Sequence, residues 1–99
     1  MKREKVLEII IENVKNLVDT FPENHRFKVE ENTILFGLKS AIDSLSLVSV
    51  IVDLETEFYD SFNIEISLTD DRAMTRDVSP YDNISVLADY IVELVAEKL

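Results

Sequence analysis

Apolar residues recur at helical spacing in three parts of the chain. From about Arg3 to Asp19, Leu7, Ile10, Val14, Leu17 and Val18 fall on one helical face, and Glu4, Glu8, Glu12, Lys15 and Asn16 largely occupy the other, which predicts an amphipathic helix. Phe21-Pro22 ends it, because proline disfavours helical geometry in the residue before it. A second helix is predicted from Ser44 to Tyr59 or Asp60. Leu47, Ile51, Leu54 and Phe58 form its stripe, and Leu45, Val48 and Val52 widen it into a broad face expected to be buried against other helices. The third, about Ile84 to Glu97, starts behind Asn83 as a cap and carries Ile84, Leu87, Ala88, Ile91, Leu94 and Val95 as its buried stripe.

The segments between these helices are less regular. Residues 21–42 form a long connection with Phe27, Val29, Ile34, Leu35 and Leu38 as scattered apolar anchors; Ile34-Leu35-Phe36 is a candidate short turn of helix, and Gly37 suits a positive φ. Residues 62–68 alternate strictly, a strand by pattern, but a lone strand would have no partner. An extended loop that plugs Phe62, Ile64 and Ile66 into the core is the expectation. Thr69-Asp70-Asp71-Arg72-Ala73-Met74, a capping residue followed by acids, suggests a short helix, and Ser79-Pro80-Tyr81-Asp82 a turn. The sum is a single all-α domain over residues 1–99, a four-helix bundle with a short third helix and a long first loop.

Composition narrows the possibilities. One glycine and two prolines argue against a linker-rich chain, and with no cysteine there is no disulfide framework, thiol nucleophile or thiolate metal site. The net charge of −10 is uneven: residues 1–28 hold six basic and five acidic side chains, a net +1, leaving −11 on the remainder. Such a field repels nucleic acid and anionic membranes and favours basic partners, although solubility alone is a commoner reason for it. Glu8 and Glu12 interrupt the apolar run a secretory signal needs, and no apolar stretch is long enough to span a bilayer, so no membrane insertion and a cytoplasmic location are expected.

Candidate chemistry gathers at Ile42-Asp43-Ser44-Leu45. Asp43 is the better N-cap, because its carboxylate can accept from the backbone N–H of Leu45 or Ser46 at the positive end of the helix dipole, which leaves the hydroxyl of Ser44 free. In the bland alternative Ser44 itself caps the helix, worth about 1 kcal/mol. Around this motif stand Leu35-Phe36-Gly37 upstream, then Val48, Leu54-Glu55 and Phe58, then Phe62-Asn63-Ile64-Glu65-Ile66, and later the segment from Pro80 to Ile91. Over roughly its C-terminal two thirds, the chain resembles the acyl carrier protein family and its peptidyl and aminoacyl relatives.

The resemblance implies a bundle of acyl-carrier-protein type and a 4'-phosphopantetheine arm, derived from coenzyme A, attached covalently to Ser44. Asp43 belongs to the motif, and Leu45, Leu47, Val48, Val52 and Asp53 are the expected partner-binding residues. The implied partners are a phosphopantetheinyl transferase, an acyl- or aminoacyl-activating ligase, and acyltransferase or synthase enzymes. The carrier needs no active site of its own, since the base and metal that activate the serine come from the transferase. Ser46 and Ser49 stand where carriers of fatty acid synthesis commonly have acids, which points to a specialised pathway.

Three alternatives accompany this reading. An aminoacyl or peptidyl carrier differs only in what loads the arm, and an unmodified helical adaptor for a basic partner shares the same pattern. Serine hydrolysis would need a base, and His25, the one histidine, sits in a polar segment expected to face solvent, with no Gly-x-Ser-x-Gly elbow around Ser44. The acids at Asp70-Asp71 and Glu55-Glu57-Asp60 lack the spacing of a calcium loop and read as solvated, so no metal is expected. Leu47, Val52 and Ile66 could border an acyl-sheltering pocket, but plain core packing accounts for them more simply.

Overall fold

The first helix, α1, spans Arg3–Val18, and its deepest residues are Val6, Ile9, Ile10, Val14 and Val18. The buried stripe is therefore rotated from the predicted one: Val6 and Ile9 enter the core, while Leu7, Ile11 and Leu17 are only partly covered. The helix has apolar residues on more than one stripe, and its packing against both other long helices selects the face they share. Thr20 Oγ1 donates to the Leu17 carbonyl at 2.6 Å, and Pro22 follows, so the helix stops there. The computed structural model describes residues 2–36, 40–68 and 81–98, with Ser44 represented by its backbone.

A 3-10 turn at Glu23–His25 opens the long connection. Arg26 bolts it to the end of α1, donating from Nε to the Phe21 carbonyl and from its terminal nitrogen to the Asp19 carbonyl, both at 3.1 Å. The chain then runs extended, turns at residues 30–33, and buries Val29, Leu35 and Ile42. Ile34 makes no turn of helix; it forms an antiparallel bridge with Asn83. Its neighbours' backbone groups are committed to the start of the last helix: Leu35 N–H donates to the Asp82 carbonyl at 3.3 Å, and the Thr33 and Glu31 carbonyls accept from Ile84 and Ser85 at 3.1 and 2.8 Å. The expected anchor Leu38 and the expected positive φ at Gly37 lie outside the described residues.

Helix α2 spans Ser44–Phe62, two residues beyond the latest end predicted. Asn63 in left-handed geometry (φ 55°, ψ 36°) turns the chain out of it, with Asn63 N–H on the Tyr59 carbonyl at 2.9 Å and Ile64 N–H on the Phe58 carbonyl at 3.1 Å. Leu47, Val50, Ile51, Leu54 and Phe58 are buried, whereas Leu45, Val48 and Val52 stand in solvent. Val50, rather than the expected Leu45, Val48 and Val52, widens the buried face. Residues 63–68 form neither helix nor strand, as expected of a loop, but the deep plugs are Ile66 and Leu68, with Phe62 and Ile64 only partly covered. Glu55 Oε2 accepts from Leu68 N–H at 2.9 Å and fixes that depth.

The third described helix, α3, is Ile84–Lys98. Its predicted stripe is buried in full, joined by Tyr90. Arg3 fastens α1 to it: the guanidinium donates to Asp89 Oδ1 at 2.6 Å, Ser85 Oγ at 2.7 Å and Glu31 Oε1 at 3.2 Å. The hydrogen bond that Arg3 donates to Asp89, before the contribution of Glu31, keeps the Arg3 pKa above its ordinary value. Among the described residues the fold is an all-helical bundle of three α-helices with no strand, around a core with no buried charged or polar residue. The short helix expected at 69–74, and Ser79 and Pro80 of the expected turn, lie outside the described residues.

Candidate functional site

The start of α2 is built by its neighbours in sequence. Asp43, extended at φ −77° and ψ 165°, accepts the Ser46 N–H on Oδ1 at 2.7 Å, and its carbonyl takes the Leu47 N–H at 3.0 Å. These bonds make Asp43 the N-cap, as its place before the apolar stripe predicts, and make Ser44 the first residue of the helix. The backbone N–H of Ser46, followed by its side chain, lowers the Asp43 pKa below the ordinary 3.8. Upstream, Ser40 holds the approach: its hydroxyl oxygen accepts from Ile42 N–H at 3.0 Å and shares its proton between the Ile34 and Ile42 carbonyls at 3.0 and 3.1 Å.

The expected partner-binding residues divide sharply. Leu45 is 80% exposed, Val48 54% and Val52 51%, and Asp53 is also exposed. Leu47, at 5%, belongs to the core and is unavailable to a partner. Residues 45, 48 and 52 follow helical spacing, so the three exposed side chains form one apolar row that begins beside Ser44. Ser49, Asp53 and Thr56 are exposed beside it, and past the Asp43 cap the first acid along the row is Asp53. Of the acids farther along, Glu55 is bonded to Leu68, and Glu57 accepts from Asn13 Nδ2 at 3.1 Å, so part of the predicted acidic face serves internal packing.

Comparison with protein-family models, with curated proteins and with solved structures gave no match to this chain.

Geometry adds a feature that spacing in sequence did not reveal. A surface depression of about 440 Å³ lies between the turn after α1 and the approach to α2, lined by Phe21, Pro22, Asn24, His25, Ala41 and Asp43. His25 is exposed, as its polar surroundings suggest, but it shares this depression with the cap of α2. The two walls are some twenty residues apart in sequence and meet only because the connection doubles back. Proline in the turn was a local hint of one wall; nothing local marked Ala41. Among the described residues no group of three or more His, Cys, Asp or Glu side chains could hold a metal ion, and no helix is long and apolar enough to cross a membrane.

Proposed function

We propose that this chain is a cytoplasmic acyl carrier protein that holds acyl groups as thioesters on a 4'-phosphopantetheine arm attached to Ser44, in a specialised biosynthetic pathway. The observation that carries this reading is the capping of α2 by Asp43, which makes residue 44 the first of a long helix and leaves Leu45 beside it in solvent. A carrier requires its attachment residue at a fixed, reachable corner, and a capped helix start followed by the exposed Leu45 supports that reading. A phosphodiester there would also find the positive end of the α2 dipole, partly offset by the Asp43 carboxylate. When bound, the arm supplies the terminal thiol that carries the acyl group.

The row of Leu45, Val48 and Val52 supports docking by enzymes with an apolar patch. Ser46 and Ser49 replace acidic neighbours, so association near Ser44 depends less on ion pairs and is only weakly screened by salt. The expected partners are a phosphopantetheinyl transferase and the ligase, acyltransferase or synthase that loads and unloads the arm. The same row also suits an unmodified helical adaptor, and an aminoacyl or peptidyl carrier differs only in its cargo. The deciding experiment is the intact mass after incubation with coenzyme A and a broad-specificity phosphopantetheinyl transferase, beside a Ser44→Ala variant. A gain of one phosphopantetheine in the parent and none in the variant is expected; a folded parent that gains nothing makes the adaptor the better reading.

A further inference from the structure

Building on the carrier reading, we propose that the arm, when it carries no acyl group, folds back into the depression formed by Phe21, Pro22, Asn24, His25 and Ala41. The first argument is position. Asp43 is at once the cap of α2 and part of the lining, so the depression opens next to the attachment residue. The second is chemistry. Pantetheine alternates a geminal dimethyl group with a hydroxyl and two amides, and the lining pairs apolar Phe21, Pro22 and Ala41 with the amide of Asn24 and the imidazole of His25. Its volume of about 440 Å³ lies within the range of small-molecule sites, roughly 300–1,000 Å³.

The third argument is pre-organisation. Arg26 ties one wall to the end of α1, Ser40 and the Asp43 cap hold the other, and a surface already in shape requires little ordering when the arm settles on it. The negative Asp43 carboxylate keeps the phosphodiester at the rim, and the part of the arm beyond it enters. In that position the arm leaves Leu45, Val48 and Val52 uncovered, so a partner can dock on α2 before drawing the thiol out.

The test compares amide spectra and nuclear Overhauser contacts of the unmodified and modified protein, with intact mass confirming that the arm is installed. Shifts at Asn24, His25 and Ala41, besides those next to Ser44, are expected, with contacts from the geminal methyls to the Phe21 ring and the Ala41 methyl. Ala41→Arg, at an exposed position, should gain the same mass and lose the shifts at Asn24 and His25 and the contacts to Phe21. Because the chain has no cysteine, maleimide reports on the arm thiol alone, and it should react faster in that variant. An installed arm whose shifts stay next to Ser44, or run along Val48 and Val52, overturns this proposal while the carrier reading stands. A folded parent that gains no mass overturns both.

Discussion

Helices α2 and α3 begin in the same way and are finished differently. Each has a side-chain cap three residues ahead of its donor: Asp43 Oδ1 on Ser46 N–H at 2.7 Å, and Asn83 Oδ1 on Val86 N–H at 2.8 Å. At α3 the long connection then closes over the end, its Thr33 and Glu31 carbonyls taking the N–H groups of Ile84 and Ser85 while Arg3 clasps Ser85 from α1. Ile84, the first residue of α3, is completely buried; Leu45, the second of α2, is among the most exposed apolar side chains described. A cap therefore does not reveal what a helix start is for. One start is sealed into the core, and the other is held in shape with Leu45 left in solvent, which suits the attachment role proposed for residue 44.

The largest effect separating the two ends should come from truncating their apolar residues. Ile84→Ala is expected to cost about 2–5 kcal/mol, whereas Leu45→Ala should stay within about 0.5 kcal/mol, read by denaturant unfolding of both. Equal losses would show that α2 is covered after all. Asn83→Ala comes next, at about 0.5–2 kcal/mol for a lost cap, and a smaller drop in melting temperature is expected for Asp43→Ala, whose helix start, among the described residues, receives no such backbone bonds from a distant segment. Arg3→Ala should cost about 1 kcal/mol or less, because its ion pairs with Asp89 and Glu31 are partly exposed, and high salt should shrink that difference.

The smallest effect concerns charge at the α2 cap. The folded state holds the Asp43 proton less tightly than the unfolded chain, so the carboxylate's contribution is complete above the ordinary value of 3.8 and is lost as pH falls through the lower folded value. Asp43→Asn caps without a charge. The gap in melting temperature between it and the parent should be constant near neutrality and close only in strong acid; a gap that closed by pH 5 would mean that another group is titrating.

How far these differences could be read in advance depended on the range of the interactions behind them. The α3 stripe and both Asx caps were legible because each rests on residues within a turn or two. The faces of α1 and α2 were legible only in part: Ile10, Val14 and Val18 and the stripe of Leu47, Ile51, Leu54 and Phe58 are buried as their spacing predicts, but both helices carry more apolar residues than one stripe, and the choice of Val6 and Ile9 over Leu7, or of Val50 over Val48, is made by tertiary packing. Ile34 departs from the expected helical turn for a related reason. Its apolar neighbours suggested a helical turn, but its backbone meets Asn83 across the fold. At the candidate site the motif, its cap and the place of Leu47 in the buried stripe were visible, while the exposure of Val48 and Val52 and the depression beside Asp43 exist only in three dimensions.

The seal over α3 also bears on the order in which the molecule assembles. Glu31 and Ser85 are 54 positions apart, so that contact waits on closing a long loop, which delays non-local structure. Asp43 and Ser46 are three apart. The frame around Ser44 can form as soon as its own helix does, while the Leu35, Ile84 and Ser85 amides should gain protection from hydrogen exchange last.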